Sequence, residues 1–340
     1  MRYKLLGKTG LRVSEVALGT MTFGEEWGWG ATKEESRAMF ETYADAGGNF
    51  FDTANRYTEG TSERLLGEFI GKERERYVVA TKYSLFTSKE HPNASGNQKK
   101  NMVQALEASL KRLNMDYVDL LWVHAWDFMT PVEEVLRGLD DLVRAGKVLY
   151  IGISDTPAWI ISRMVTMSDL RGWTRFAAAQ LKYSLIERTA ERELLPMARE
   201  LDLAVTPWGA LGSGLLSGKY NVDPNQTGRL AGSKTVNDRN LAIAATVMDI
   251  ARELDCLPTH IALSWVRQQP GVIIPLIGAR NAAQLHENLG CLSVTLSDAA
   301  LQRLSEVSTI PLGFPHEFLQ SENIRDIVYG GFRNRIDAHR

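Results

Sequence analysis

Four titratable side chains in the first half of the chain are of the types needed for proton transfer. Asp52 follows a short apolar run, Tyr57 lies five residues later, and Lys82 and His124 end two later apolar runs. A lysine beside a tyrosine stabilises the phenolate, so we expect the pKa of Tyr57 to lie below its usual value of about 10. Asp52 would keep Lys82 charged and oriented. His124 would orient or polarise the carbonyl oxygen of a substrate.

Each of these side chains also has an ordinary structural interpretation. An aspartate at the end of a strand can cap a turn, a tyrosine can cover the rim of a fold, and a lysine can extend to solvent. A histidine there is often half-buried with a satisfied partner. However, polar or aromatic residues also follow three further apolar runs, at Ser154-Asp155, Gln180 and Trp208. Their joint placement favours one shared site over unrelated structural roles.

The elements that must position these residues are eight apolar runs of strand length, separated by amphipathic segments. Most of the runs are continuously apolar rather than alternating, which is typical of strands buried on both faces. Eight units of strand and helix in 340 residues predict an α/β fold, a closed (β/α)8 TIM barrel with long loops. In such a barrel the active site lies at the carboxyl ends of the strands. The predicted strands are 16–21, 49–51, 77–82, 118–124, 148–154, 176–180, 203–208 and 272–278.

Several local signals complete the predicted architecture. Residues 3–13 predict a β-hairpin around a glycine-rich turn, placed before the barrel. The segment Thr130-Pro131-Val132-Glu133 predicts a capping box with proline at the first helical position. An open doubly wound sheet is the competing arrangement, but the early junctions lack its G-x-G-x-x-G fingerprint. Other predicted helices are 33–46, one beginning near Thr61, 191–200, 238–254, 258–269 and 281–289.

Composition and charge exclude several classes of protein. The chain is 44% hydrophobic and 24% charged with a net charge of -2, which is ordinary for a globular domain and gives no indication of nucleic-acid binding. No apolar run is long enough to span a bilayer, and the first residues lack the apolar core of a signal peptide. Cys256 and Cys291 have no metal-ligand spacing, so we expect buried thiols and no metal site. We therefore expect one cytoplasmic domain over residues 1–340.

The spacing of the four titratable residues, with motifs over nearly the whole chain, resembles the aldo-keto reductase family. Within that family, Ile153–Trp159 is most similar to the aryl-alcohol dehydrogenase branch. The other shared motifs are the amino-terminal hairpin, Gly60 with Ser62-Glu63 and Leu66-Gly67, residues 152–154, residues 180–184, residues 211–220 and residues 278–281.

The resemblance implies NADPH-dependent reduction of aldehydes or ketones. A hydride would pass from nicotinamide C4 to the carbonyl carbon, and Tyr57 would protonate the oxygen. Trp208 would stack on the nicotinamide, while Ser154, Asp155 and Gln180 would hold its carboxamide. The family most often has tyrosine at the position of Trp208 and asparagine at that of Asp155. An ionised aspartate can accept from the amide nitrogen but cannot donate to its oxygen.

The rest of the cofactor would extend across the top of the barrel. Residues 209–220 would wrap the pyrophosphate, with Lys219 supplying positive charge. Arg280 directly follows the last strand, which favours contact with an adenosine 2′-phosphate and so NADP(H) over NAD(H). Asn281–Gln284 also predicts a capping box whose helix terminus can face a phosphate. The implied cofactor residues are Gly19, Thr20, Met21, Asp52, Ser154, Asp155, Gln180, Trp208, Gly209, Ala210, Leu211, Gly212, Ser213, Gly214, Ser217, Lys219, Arg229, Gly278, Arg280, Gln284, Glu287 and Asn288.

The substrate would be a small carbonyl compound, with neither nucleic acid nor membrane as a partner. Trp27, Trp29 and Trp126 lie near strand ends and, with Tyr57 and His124, would frame its pocket. Aromatic residues at a barrel mouth favour flat or apolar aldehydes over hydroxylated sugars. The connection 211–236 is long enough to fold over the cofactor, and the tail beyond about residue 311 would pack on the barrel or roof the site.

Two other functions compete with this prediction. Channel β-subunits share the fold, the four residues and the cofactor, and act chiefly as interaction modules with little turnover. A Schiff-base aldolase using Lys82 is disfavoured, because Asp52 would keep that lysine protonated whereas the nucleophile must be neutral.

Overall fold

The barrel predicted from the sequence is present in the computed structural model, which describes residues 1–223, 230 and 232–337. Eight parallel strands lie side by side in chain order, with the last strand next to the first. Helices cover the outside of the sheet. The ten strands, numbered in chain order, are β1 Tyr3–Leu5, β2 Arg12–Ser14, β3 Ala17–Gly19, β4 Phe50–Asp52, β5 Val78–Tyr83, β6 Val118–Val123, β7 Val148–Ser154, β8 Phe176–Lys182, β9 Ala204–Trp208 and β10 Leu276–Ile277.

The helices follow the strands as expected for repeated β/α units. Long connections follow β3 (residues 20–32), β5 (residues 84–98) and β9, and all three begin at the carboxyl ends of their strands. The α-helices, all within the described part of the chain, are α1 Lys33–Asp45, α2 Thr61–Ile70, α3 Lys99–Leu113, α4 Val132–Arg144, α5 Ala158–Arg171, α6 Leu194–Glu200, α7 Lys219–Val222, α8 Asp238–Glu253, α9 Pro258–Arg267, α10 Ala282–Leu289, α11 Asp298–Val307, α12 His316–Gln320 and α13 Glu322–Tyr329.

The barrel closes at an interrupted strand. The sequence predicted one strand over 272–278, but only Leu276–Ile277 pairs with β3. Upstream, Ile273 forms an isolated bridge to Val205 of β9. Pro275 lies between the two pairings and has no N–H to donate, which explains the break. Its carbonyl still accepts a hydrogen bond from the N–H of Ala17 (2.9 Å), so both neighbouring strands are joined here.

The amino-terminal hairpin closes the bottom of the barrel. β1 and β2 pair antiparallel, and Leu6 and Val13 are fully buried in a cluster with inward-facing strand residues. Gly7 has a left-handed φ of 55°, and a Cβ there would lie 2.3 Å from the carbonyl oxygen of Ala177. The predicted hairpin is therefore present, and its turn lies against the amino-terminal ends of β8 and β9.

One capping prediction was wrong and another was confirmed in part. The cap of α4 is Pro131 and makes no side-chain hydrogen bond. The Thr130 hydroxyl is instead turned towards the preceding loop, where it donates to Asp127 Oδ2 (2.7 Å). At α10, Asn281 accepts from the N–H of Gln284 (2.9 Å) as predicted. The Gln284 side chain accepts from the N–H of Arg280 rather than from that of Asn281.

The carboxyl-terminal tail runs along the outside of the molecule. In α12 and α13, every residue of which is described, none is buried. Two polar contacts join the tail to the segment before α6: Arg192 Nη2 donates to the Pro311 carbonyl (2.8 Å), and His316 Nε2 contacts Glu193 Oε1 (3.0 Å). Among the helices of the described residues, none has the length and apolar character needed to cross a bilayer.

Gly152 of β7 provides a test of the packing inside the barrel. A Cβ at this position would lie 2.3 Å from the ring of Trp122, which is fully buried. We expect Gly152→Ala to lower the free energy of unfolding by about 1–3 kcal/mol, because the indole cannot move without disturbing its neighbours.

Urea unfolding followed by circular dichroism would measure this change. Gly10→Ala is a suitable control, because an added Cβ there meets nothing within 4 Å. The control should change stability by less than about 0.5 kcal/mol. Equal losses in both variants would contradict the packing described here.

Candidate active site

The polar residues at the strand ends converge because they share the inward-facing side of their strands. Side chains along a strand alternate between its two faces, so residues two positions apart point the same way. Asp52, Lys82, His124 and Gln180 each lie two residues beyond an inward-facing core residue. These core residues are, respectively, Phe50, Ala80, Trp122 and Ala178.

Lys82 is at the centre of this group and is fully buried. Its ammonium nitrogen donates to Asp52 Oδ1 in a short ion pair, to the Thr53 carbonyl (2.8 Å) and to Tyr57 Oη (3.0 Å). A lysine ammonium has three donors, and here all three are directed at oxygen atoms. The second oxygen of Asp52 accepts from Gln180 Nε2 (3.1 Å). The structure therefore brings together Asp52, Tyr57 and Lys82, with Gln180 behind the carboxylate.

The charge on Lys82 is stabilised by these contacts. Burial by itself would lower the pKa of the ammonium group, but Asp52 and Tyr57 outweigh it and the pKa lies above its usual value. Lys82 is therefore positively charged at neutral pH.

The sequence-based expectation for the pKa of Tyr57 was wrong for this structure. Burial of the phenol raises its pKa, and the negative charge of Asp52 adds to that effect. Lys82 acts in the opposite direction but does not outweigh burial. Tyr57 is consequently a neutral phenol that can give a proton, and Lys82 limits rather than reverses the cost of forming its phenolate.

His124 lies against Tyr57, with ring centroids 5.9 Å apart and an interplanar angle of 83°. Burial, reinforced by the positive charge of Lys82, holds the pKa of His124 well below its usual range. The imidazole is therefore neutral at physiological pH. Its Nδ1 atom is buried and has no hydrogen-bond partner among the described residues.

The backbone that follows Tyr57 is held in an unusual conformation. Thr58, Glu59 and Gly60 have successive left-handed φ values of 44°, 53° and 86°. Such a conformation persists only where surrounding contacts impose it. The Thr58 hydroxyl donates to the Phe23 carbonyl (2.6 Å) and accepts from the N–H of Ser62 (3.1 Å). These bonds attach the loop that carries Tyr57 to the segment after β3 and to the start of α2.

A buried ion pair fixes α2 relative to β5. Glu63 is fully buried, accepting from the Thr81 hydroxyl (2.5 Å) and from Arg112 Nε (2.5 Å). Thr81 precedes Lys82, so the same carboxylate connects the helix after Tyr57 to the strand that carries the lysine. The sequence marked Glu63 only as part of a motif and did not indicate this positioning role.

The mouth of the site has an aromatic wall that the sequence identified only in part. Trp27 makes an edge contact with Tyr57 (6.4 Å between centroids) and packs on Trp29 (5.5 Å). Glu59 accepts from Trp27 Nε1 (3.2 Å) and is ion-paired with Arg56. Arg56 and Glu59 were not predicted as site residues, although both are charged and flank Tyr57 in the sequence.

The Arg56 guanidinium is also close to two rings, those of Phe86 (4.6 Å) and Trp27 (5.6 Å). Phe86 was missed as well. Trp126, the third predicted substrate residue, is half-buried and packs on the main core.

Three of the strands place residues implied in nicotinamide binding next to one another. Ser154 of β7 is in register with Gln180 of β8, and Lys182 of β8 is in register with Trp208 of β9. Trp208 donates through Nε1 to Asp155 Oδ1 (3.1 Å). Asp155 therefore contacts the indole itself, which the sequence did not suggest.

The segment after Trp208 has the chemistry of an anion site. Five of its residues have left-handed φ values, namely Gly209, Gly212, Ser213, Gly214 and Gly218. These conformations turn the segment tightly on itself, and the N–H groups of Gly212, Gly214 and Gly218 donate to carbonyl oxygens within it. Lys219 folds back over the segment, since a Cβ on Gly214 would lie 3.7 Å from Lys219 Cε. Lys219 is therefore the group in this segment that suits the pyrophosphate of an extended dinucleotide.

The remaining cofactor candidates vary in accessibility. Thr20 is buried, and its hydroxyl contacts the Asp52 carbonyl (3.1 Å) and Ser62 Oγ (2.8 Å). Arg229 lies outside the described residues. Met21, Ala210, Leu211, Ser217 and Asn288 are half-buried or buried, whereas Gly278, Arg280, Gln284 and Glu287 are exposed, and Gly19 is at the end of β3.

Comparison with known proteins agrees with this geometry. A family model described as the Aldo/keto reductase family matches residues 15–309. A norsolorinic acid reductase of Emericella nidulans is 37% identical over 320 residues, covering 91% of this chain and 82% of that protein. An aryl-alcohol dehydrogenase of Pestalotiopsis microspora is 36% identical, with 94% and 85% covered. Another, from Phanerodontia chrysosporium, carries NADP(+) in its name and is 34% identical, with 94% and 89% covered.

The buried ion pair between Asp52 and Lys82 can be tested by removing one charge or both. Asp52→Asn should lower the free energy of unfolding by about 3–5 kcal/mol, because an ammonium group remains buried without its counter-ion. Asp52→Asn combined with Lys82→Met should be more stable than Asp52→Asn alone. Chemical denaturation of the three proteins checks this, and a double variant less stable than the single one would argue against the pairing.

The neutral state of His124 has a consequence for stability. In the unfolded chain a histidine takes up a proton below pH 6.5, whereas folded His124 does not, so its contribution to stability decreases as pH falls. The wild type should therefore lose up to about 1.4 kcal/mol more than His124→Asn for each pH unit below 6. Urea unfolding of both proteins at pH 7.5 and 5.5 measures the difference. Parallel pH dependences would show that His124 is not held neutral.

Proposed function

The chain belongs to the aldo/keto reductase family, and we propose that it reduces aldehydes or ketones to alcohols with NADPH. The observation that carries this proposal is the direction of the hydrogen bonds at Tyr57. Lys82 Nζ is the donor in its contact with Tyr57 Oη, since an ammonium group has no acceptor. The phenolic proton of Tyr57 is therefore directed away from Lys82 and available to a substrate oxygen.

Each residue of the site has a different role in the proposed reduction. Bound NADPH would supply a hydride to the carbonyl carbon and become NADP(+). Tyr57 gives its proton to the carbonyl oxygen, and the charge of Lys82 limits the cost of the phenolate that results. Asp52 holds Lys82 in place and keeps it charged. His124, as a neutral imidazole, can donate one hydrogen bond to the same oxygen.

The choice of cofactor and substrate follows from the surroundings. Trp208 presents an aromatic face for the nicotinamide, Lys219 offers positive charge to the pyrophosphate, and exposed Arg280 just before α10 suits a 2′-phosphate. The name of the Phanerodontia chrysosporium relative supports NADP(H). The wall of Trp27 and Trp29 next to Tyr57 favours a flat aromatic or apolar carbonyl compound.

The raised pKa of Lys82 argues against a Schiff-base aldolase. Burial opposes the charge, but Asp52 and Tyr57 maintain it, so the amine is not free to attack a carbonyl carbon. Treatment with borohydride in the presence of an aromatic aldehyde should leave the mass of the protein unchanged.

The role of Tyr57 can be tested by removing its hydroxyl. Tyr57→Phe should lower kcat for reduction of an aromatic aldehyde by at least about 100-fold, the range expected for loss of a general acid. Binding of NADPH, followed by its fluorescence, should change little. Steady-state kinetics and fluorescence titration of the same preparations measure both.

Tyr150→Phe is the matched control, because Tyr150 lies lower in the barrel, in register with Leu120. It should keep wild-type activity. A Tyr57→Phe variant that retained most of its turnover would refute the assignment of the acid. Tight NADPH binding with negligible turnover by the wild type, against a panel of aromatic aldehydes, would instead favour an interaction module like the channel β-subunits.

A further inference from the structure

Asp155 and Trp208 form a pair at the rim of the barrel. Asp155 follows β7 and Trp208 ends β9, and the Trp208 N–H donates to Asp155 Oδ1 (3.1 Å) across a separation of 53 residues in the chain. The N–H of Asp155 donates to the Gln180 carbonyl on the strand between them (3.2 Å). The carboxylate is thus attached to the edge of the indole.

The backbone of Asp155 indicates that this placement is imposed by the fold. Its φ is 40°, in the left-handed region that residues with a side chain rarely adopt. Aspartate tolerates this region better than most residues, and outliers of this kind concentrate at ligand sites. The conformation directs the carboxylate towards the indole N–H.

The charge on Asp155 changes the electrostatic character of the Trp208 ring. A cation is attracted to the face of an indole ring, and donation of the indole N–H to a carboxylate makes that face more negative. An asparagine could accept the same hydrogen bond through its oxygen but would bring no charge. What distinguishes Asp155 is therefore its negative charge.

On the basis of the proposed function, we propose that Asp155 makes the site bind NADP(+) more tightly relative to NADPH. The nicotinamide ring carries a positive charge in NADP(+) and none in NADPH. A carboxylate at the edge of the Trp208 ring attracts the positively charged ring of NADP(+) and interacts little with the neutral ring of NADPH. With cofactor bound, this attraction favours the side of the reaction that holds NADP(+) and the alcohol, so it makes reduction of the carbonyl compound more favourable on this enzyme.

The opposing charge of Lys182 lies over the Trp208 ring. Its Nζ is 5.6 Å from the centroid of Trp208, and its side chain is exposed. A flexible, solvated ammonium is screened more effectively than a carboxylate fixed by a hydrogen bond. Asp155 therefore dominates the local field at the ring edge.

Isothermal titration calorimetry of NADP(+) and of NADPH with the whole protein tests this inference without measuring turnover. The wild type is compared with Asp155→Asn. The ratio of the NADP(+) Kd to the NADPH Kd should rise about three- to tenfold in Asp155→Asn, which is the effect of one unit charge several ångströms away in a partly solvated site.

Asp169→Asn is the matched control. Asp169 is in the last turn of α5, at the opposite end of the barrel, and is ion-paired with Arg175 on the surface. This variant makes the same change of charge and should leave the ratio unchanged. A shift of equal size in Asp169→Asn would overturn the inference, because net charge alone would then explain it.

Trp208→Phe keeps an aromatic face but cannot donate to Asp155, so the ratio should rise by a smaller factor than in Asp155→Asn. An unchanged ratio in Asp155→Asn, with both nucleotides still bound, would overturn the inference and leave the proposed function standing. If Asp155→Asn did not fold, an unchanged or lower ratio in Trp208→Phe would overturn it. A wild type that bound neither nucleotide would overturn the proposed function and this inference with it.

Discussion

The site depends on a lysine ammonium that is completely buried inside the barrel. A charge in that position is tolerated only when all its donors are satisfied and a counter-ion is close. Lys82 obtains these partners from the end of β4 and from the loop that follows, through Asp52, Thr53 and Tyr57. The requirement extends to β8, because Gln180 bonds the second oxygen of Asp52. One buried charge thus joins the ends of β4, β5 and β8 to the loop that carries Tyr57.

The same arrangement decides which chemistry is possible. With its charge retained, Lys82 cannot serve as a nucleophile, but it can stabilise a phenolate formed at Tyr57. The high pKa of the resting phenol ensures that the proton is present when a substrate arrives. His124 lies against the phenol ring and is neutral. The Glu63 ion pair and the strained loop after Tyr57 hold these groups in place before substrate binds, which lowers the reorganisation needed during the reaction.

The barrel and the four central residues could be predicted because both depend on simple periodicity. Continuous apolar runs predicted the strands, and the end of each run showed which residue would reach the mouth. The pKa of Tyr57 could not be predicted, since its sign depends on burial, which spacing does not reveal. The predicted cap at Thr130 does not form because the hydroxyl is turned towards Asp127, to which it donates a hydrogen bond. The contacts of Glu59 with Trp27 and of Asp155 with Trp208 were missed because each requires a left-handed backbone and partners distant in sequence.

We propose that the phenol of Tyr57, held by Lys82, faces the carbonyl group of a substrate that lies above a nicotinamide stacked on Trp208. A crystal structure of the complex with NADP(+) and an unreactive amide analogue of an aromatic aldehyde tests it most directly. In that complex, Tyr57 Oη should lie about 2.6–3.2 Å from the amide oxygen, with the nicotinamide stacked on Trp208 and the Lys82 contact retained. A nicotinamide bound away from Trp208, or an amide oxygen out of reach of Tyr57, would contradict it.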